Sequence, residues 1–223
     1  MALWQTWWWW TAVSYVSGSI PFALLIGMSH GVDVRTVGSG NVGSTNVARA
    51  VGRPWGVLCF GLDVLKGFLP VLFGGIAMSC AGKMQITPAQ AWEWLGIAVA
   101  AVLGHVFPPW LKFRGGKGVA TSLGVVLGLW PLLAAPCLAA IVTWTVLLGL
   151  FRYVSLASVV ATATLPITIV IARILTSQEY ARSSEPFLIV SALLAVLVIF
   201  RHRTNLLRLF KGTEPKLGEH RPV

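Results

Sequence analysis

LLAAPCLAAIVTWTVLLGLF, residues 132–151, runs for twenty residues without a charge. A helix of about 20 apolar residues covers about 30 Å, the thickness of a bilayer's hydrocarbon core. Comparable runs recur on both sides of it, from Trp7 to Met28, Trp55 to Met78, Trp94 to Phe107, Val119 to Trp130, Leu156 to Leu175 and Phe187 to Phe200. The chain of 223 residues is 56% hydrophobic and only 11% charged, with a mean hydropathy of +0.78. Its apolar residues come in long runs and not in amphipathic periods, which excludes an ordinary soluble core. The sequence predicts an all-α integral membrane protein with seven transmembrane helices, in one domain over residues 1–223 with a flexible tail from about residue 212. The third and fourth runs are short or rich in glycine, so five full spans, with those two re-entrant or interfacial, is the alternative.

The charges set the expected orientation. With the N-terminus extracytoplasmic, the cytoplasmic side carries Arg35, Arg49 and Arg53, then Lys112, Arg114 and Lys117, then Arg152, then the six Lys/Arg from Arg201 onward. The opposite side carries Lys83, Arg173 and Arg182, a thirteen-to-three split that follows the positive-inside rule and puts the C-terminus in the cytoplasm. No basic segment precedes the first run and no A-x-A-like site follows it, so it reads as a retained helix. Trp7 to Trp10 read as an anchor at the headgroup level. Cys59, Cys80 and Cys137 lack metal or redox spacing and read as packing residues. The net charge of +10 has no soluble basic domain to carry nucleic acid, so it belongs to topology, anionic lipid and anionic substrates.

Four polar constellations fall on the expected cytoplasmic face. GSGNVGSTN, from Gly38 to Asn46, offers turn-forming Gly38, Gly40 and Gly43 with donors on Ser39, Asn41, Ser44, Thr45 and Asn46, and Arg49 follows; alone it fits a flexible turn as well as an anion cradle. GHVFPPWLKFRGGKGVAT, from Gly104 to Thr121, places His105 near a span end and Lys117 among Gly115, Gly116 and Gly118 at the start of a helix, where charge and helix dipole favour an anion. Its spacing is not that of a Walker A loop, and Lys112 and Arg114 fit a positive-inside loop equally well. RYVSLAS, from Arg152 to Ser158, contributes Ser155 as either a helix cap or a phosphate donor. RHRTNLLRLFKGTEPK, from Arg201 to Lys216, puts His202 and Asn205 on one helix face, within what is otherwise a basic stop-transfer tail.

Asp63 and Lys66, an i, i+3 pair of opposite charges inside an apolar run, are expected to face the bundle interior and support a polar centre. These residues supply many donors and very few bases. There is no Cys/His pair, no carboxylate dyad and no metal-ligand spacing, so neither a cofactor nor a metal is expected. Neither His30 nor His105 has an Asp five residues on, which excludes the pattern of the common glycerolipid acyltransferases. What remains is a metal-free phosphate site at a cytoplasmic leaflet, for which a transporter or channel for a phosphorylated solute is the rival to an enzyme.

The loop GSGNVGSTNVAR, the DVLKG of the second run, GHVFPPWLKFRGGKGVAT, RYVSLAS and RHRTNLLRLFKGTE, in this order over nearly the whole chain, resemble the bacterial acyl-phosphate:glycerol-3-phosphate acyltransferases of the PlsY family. Ser44 stands where that family usually has Ala, and Trp110 where it commonly has Phe. The resemblance implies a multi-pass enzyme of the bacterial cytoplasmic membrane that moves a fatty acyl group from acyl phosphate to glycerol 3-phosphate, giving lysophosphatidic acid and inorganic phosphate. It implies Ser39, His105, Lys117 and Asn205 as catalytic residues. Gly38, Gly40, Asn41, Gly43, Thr45, Asn46, Arg49, Gly115, Gly116, Ser155 and His202 follow as phosphate and substrate ligands. Acyl phosphate, glycerol 3-phosphate and the bilayer are the implied partners, with the soluble enzyme that makes acyl phosphate as another.

Overall fold

The computed structural model describes residues 3–175 and 184–219, so Arg182 and the tail residues Arg221 and Pro222 lie outside the described residues. Helices make up its regular structure: α1 Trp7–Ser19, α2 Phe22–Ser29, α3 Ser44–Ala50, α4 Arg53–Ala77, α5 Pro88–Val106, α6 Val119–Gly128, α7 Ala134–Phe151, α8 Val154–Leu175, α9 Glu185–Arg201 and α10 Arg203–Phe210. There is no strand among the described residues. Among the described residues, five stretches are long and apolar enough to cross a membrane: Trp7–Ser29, Arg53–Ala77, Pro88–Leu111, Ala134–Phe151 and Val154–Leu175. Glu185–Arg201 and Arg203–Phe210, bent by 59° at their junction, make a sixth if taken as one span.

Three expected runs differ from what forms. The first is broken at Ile20–Pro21, because Pro21 has no N–H to continue the ladder. The third starts earlier, at Pro88, where a capping box joins Thr87 and Gln90: Thr87 Oγ1 accepts from the Gln90 amide at 3.2 Å and Gln90 Oε1 from the Thr87 amide at 3.0 Å. The fourth yields only the ten-residue α6, too short to cross a bilayer alone.

Water cannot drive helices together inside lipid, so close packing and buried polar contacts must. α1 meets α5 where Gly18 and Gly104 face backbone: a Cβ on Gly18 would lie 2.1 Å from the Ala101 carbonyl oxygen, and one on Gly104 2.2 Å from that of Tyr15. Ser14 Oγ donates to the Ile97 carbonyl across this crossing at 2.8 Å. α4 and α6 meet in the same way through Gly67 and Gly124. Pro70, inside α4, leaves the Lys66 carbonyl without its i+4 donor, and Ser17 Oγ of α1 supplies one at 2.9 Å. The outer helix α7 turns Leu138, Val142, Val146 and Leu150 outward, as a lipid-facing surface requires.

Candidate active site

The loops that carry the polar motifs converge at one end of the bundle. The α2–α3 loop, the α5–α6 loop, the α7–α8 turn and the α9–α10 junction meet there, and residues 211–219 lie across them. The bend after Arg201 turns α10 over the site and brings Asn205 to Lys117, whose ammonium donates to the Asn205 side-chain oxygen. Arg201 has no ion pair among the described residues, and its Nη2 donates to the carbonyls of Gly115 and Gly116, at 2.8 and 3.0 Å. It thereby fastens the glycine loop to the end of α9.

One half of this end is built on a buried ion pair. Lys66 Nζ lies 2.8 Å from Asp63 Oδ1, with both side chains 3% exposed. The break at Pro21 leaves the Ile20 carbonyl outside a regular helix, and Lys66 Nζ donates to it at 2.8 Å. His105 Nδ1 stands 3.8 Å from Asp63 Oδ1. The other edge of the ring faces the glycine loop, where a Cβ on Gly116 would lie 2.1 Å from His105 Nε2 and 2.8 Å from the Val42 carbonyl oxygen. Only glycine permits that approach. A small cavity lies between the pair, His105, Phe22, Val42 and the two glycines.

The other half gathers donors around a carboxylate. Glu214, 6% exposed, accepts from Asn205 Nδ2 at 2.6 Å and Ser155 Oγ at 2.9 Å on one oxygen, and from Arg208 Nε at 2.7 Å on the other. Burial works against its charge, but these hydrogen bonds from Asn205, Arg208 and Ser155 prevail and hold it below the ordinary carboxylate value. Burial pulls the Lys117 ammonium down to about 8; Glu214 opposes the shift, and Arg208, Arg49 and Arg201 add to it. Lys117, Arg49 and Arg208 are three cations facing one carboxylate, an excess of two positive charges that suits a phosphate dianion.

Of the residues expected to act, Lys117, Ser155 and Asn205 share this cluster, and His202 adjoins it. The His202 Nδ1 hydrogen donates to the Val198 carbonyl at 2.8 Å, which leaves Nε2 as an acceptor. Arg49 reaches the tail, donating to the Pro215 carbonyl at 3.5 Å. His105, Gly115 and Gly116 belong to the ion-pair half. The Gly115 and Gly116 amides are spent on the Val106 and His105 carbonyls, at 3.0 and 3.2 Å, so these glycines serve close packing. Asn46 is turned into its own loop: it is 1% exposed, its Nδ2 donates to the Val34 and Val37 carbonyls, and its oxygen accepts from the amide and hydroxyl of Ser39. Gly38, at φ +60°, makes the turn that this contact needs. Ser39 and Gly40 lie exposed on the rim, with Asn41, Gly43 and Thr45 half-buried beside Val42.

Glu214, Arg208 and Arg201 were not among the expected site residues. The signal for Glu214 is its isolation, as the single acid in the basic stretch from Arg201 to Lys216. The tail expected to be flexible is tied beyond it as well: the Leu217 amide donates to the Arg152 carbonyl at 2.7 Å, and Arg152 Nη2 to the Leu217 carbonyl at 2.9 Å.

An apolar groove of about 270 Å³ opens beside the cluster, between α6 and the α7–α8 hairpin. Val119, Leu123, Val126, Trp144 and Leu165 line it, with Phe60 of α4. Its α6 wall begins two residues after Lys117, and its α8 wall three residues after Ser155.

A family model described as glycerol-3-phosphate acyltransferase matches residues 8–212, which include all four loops. The chain belongs to this acyltransferase family. A glycerol-3-phosphate acyltransferase of Trichlorobacter lovleyi is 43% identical over 208 residues, covering 93% of this chain and 95% of that one. One from Staphylococcus aureus is 41% identical over 207 residues, covering 92% and 95%. Among solved structures, the glycerol 3-phosphate form of PlsY, an integral membrane glycerol 3-phosphate acyltransferase, superimposes with a TM-score of 0.80 at 37% identity and covers 95% of this chain and 96% of that one. Its lysophosphatidic acid form gives 0.78 at 36% identity. The chain is thus a multi-pass membrane member of the acyltransferase family, with a PlsY-type fold.

Proposed function

We propose that the protein transfers a fatty acyl group from acyl phosphate to the 1-hydroxyl of glycerol 3-phosphate, giving lysophosphatidic acid and inorganic phosphate. The observation that carries this is the cluster of Lys117, Ser155, Asn205 and Arg208 around Glu214, with its excess positive charge, opening beside an apolar groove: an anion site joined to a chain site. The glycerol 3-phosphate binds at Lys117, Arg49, Ser155, Asn205 and His202. The acyl phosphate lies between the Ser39–Gly43 rim and His105, with its chain in the groove. With α6 and the apolar turn that follows it to Leu133 taken together as one short pass, the chain makes seven; the excess of Lys and Arg in alternate loops supports an N-terminus outside and a site at the cytoplasmic face of the bacterial inner membrane, within reach of a soluble enzyme that makes acyl phosphate.

Acyl phosphate is already an activated anhydride, so the protein needs to orient and neutralise more than to attack. The glycerol hydroxyl oxygen bonds to the acyl carbon, the carbon–oxygen bond to phosphate breaks, and the hydroxyl proton leaves on the departing phosphate. Purified protein in detergent, given both substrates, is expected to form lysophosphatidic acid. A transporter for a phosphorylated solute would form none.

Two further results are expected. Gly116→Ala drives a methyl group into both His105 Nε2 and the Val42 carbonyl, so the loop that carries Lys117 must shift, and kcat/KM should fall about 10²-fold, the scale of an ångström-sized misplacement of site groups. Steady-state kinetics check this, and a near-wild-type variant would contradict it. The second concerns pH. Lys117 is charged below about 8 and neutral above, and the charged form binds phosphate. The KM for glycerol 3-phosphate should be flat from about pH 7, where its phosphate is largely a dianion, up to that value, and rise by about tenfold per pH unit above it. Lys117→Arg, which stays charged, should remove the rise even if its KM is poorer throughout. A wild-type KM that stays flat across the alkaline range would contradict the assignment.

A further inference from the structure

Four hydroxyls stand in the wall of the apolar groove: Ser122, Thr145, Ser158 and Thr162. Three are spent on their own helices. Thr145 donates to the Ile141 carbonyl at 2.9 Å, Ser158 to that of Val154 at 2.7 Å and Thr162 to that of Ser158 at 2.7 Å. Such i−4 bonds are how a helix in lipid satisfies a hydroxyl. Ser122 breaks the pattern. The residue is 5% exposed, its Oγ is enclosed, and no hydrogen-bond partner reaches it among the described residues. Thr121 Oγ1 is also without a partner, but Thr121 packs against Gly67 of α4 and is not part of the groove wall.

A buried hydroxyl without a partner costs stability, and groups of that kind in native proteins call for an explanation. Its place supplies one. Val119, Ser122, Leu123 and Val126 form the face of α6 that lines the groove, at i, i+3, i+4 and i+7. Moving along α6 from its N-terminal end, the groove wall starts at the phosphate end of the site with Val119, reaches a lone hydroxyl one turn further on, and is purely apolar beyond it. An acyl chain that lies in the groove with its reacting end toward the phosphates brings its carbonyl oxygen, a hydrogen-bond acceptor, to the first turn of α6 and its hydrocarbon to the rest.

We infer that Ser122, whose Oγ is enclosed in the protein without substrate, turns toward the groove when an acyl chain enters and donates its hydroxyl hydrogen to the carbonyl oxygen of the acyl group being transferred. The inference rests on the acyl-transfer reading above and adds to it a catalytic residue that no sequence motif singled out. When the glycerol hydroxyl attacks, negative charge gathers on the carbonyl oxygen, and a donor held ready in a site without water stabilises it. Ser122 keeps its own proton throughout. The proton of the attacking hydroxyl leaves with the phosphate, as before.

The test compares purified wild-type protein with Ser122→Ala and Ser122→Thr, using acyl phosphate and glycerol 3-phosphate as substrates and following thermal unfolding in the same detergent. Ser122→Ala should lower kcat by about 10²-fold, the usual cost of one oxyanion donor, and leave the KM for glycerol 3-phosphate unchanged. Its melting temperature should be no lower than that of the wild type, because the change removes an unpaired buried hydroxyl. Ser122→Thr keeps the donor and should keep most of the rate. A packing role predicts otherwise: wild-type kcat in Ser122→Ala, or a loss of rate that follows a lowered melting temperature in both variants, overturns the inference. If the wild-type protein makes no lysophosphatidic acid at all, the acyl-transfer reading fails first, so the two failures are told apart.

Discussion

Lys117→Ala is expected to lower kcat/KM for glycerol 3-phosphate by about 10²–10³-fold, with the fold retained. The ammonium is half-buried, is held by Asn205 and has Glu214 as its nearby counter-charge. Removing it cuts the excess positive charge of the cluster from two to one, where a phosphate dianion needs two. The same change should leave thermal stability almost untouched, because Glu214 keeps its bonds from Ser155, Asn205 and Arg208. His105→Gln provides the contrast. If proton transfer goes to the donor's own phosphate, that variant keeps most of its turnover while Lys117→Ala loses it. If His105 is the general base, both variants fail together. A Lys117→Ala enzyme with near-wild-type kcat/KM would remove the phosphate site from this cluster.

Asp63→Ala should destabilise the protein by about 3–5 kcal/mol, the cost of leaving one member of a buried ion pair alone. Lys66 would keep the Ile20 carbonyl but lose its counter-ion, and His105 would lose the carboxylate beside Nδ1. The effect on rate should exceed the effect on the folded fraction, because the pair underlies both glycine-rich loops through His105, Gly116 and Val42. Replacing both members with apolar residues, as in Asp63→Leu with Lys66→Met, should restore much of the stability but not the rate, since well-packed apolar residues can take the place of a buried pair without holding the Ile20 carbonyl or keeping the two glycine-rich loops in place around the cavity. Unfolding in detergent together with kinetics checks both parts. A single Asp63→Ala variant as stable as the wild type would show that Lys66 finds another partner, and the pair would then carry no special weight.

The helical membrane fold was legible because a bilayer demands long runs of apolar residues, and residues such as 132–151 allow no other placement. The details that escaped have local physical causes. The first run breaks at Pro21, which the length of apolar sequence masks, and that break gives Lys66 its carbonyl. α6 is short, and its glycines let it press against α4; its composition records close packing more than membrane thickness. At the site, Lys117, Ser155 and Asn205 stood out as donors in otherwise apolar or basic surroundings, and the fold brings them together. Glu214 did not stand out, because a single acid among basic residues reads as a solvated tail until the bend after Arg201 folds α10 over the loops. Asn46 had the composition of a ligand but spends its side chain on its own loop, a choice that only three-dimensional geometry decides.

The most direct measurement is a structure of the full-length protein with glycerol 3-phosphate bound. Its phosphate should lie within hydrogen-bonding distance of Lys117 Nζ, with Ser155 and Asn205 at its edge and the 1-hydroxyl turned toward the mouth of the groove. A phosphate held away from Lys117, at the exposed rim alone or beside Asp63 and Lys66, would contradict the assignment of this cluster as the acceptor site.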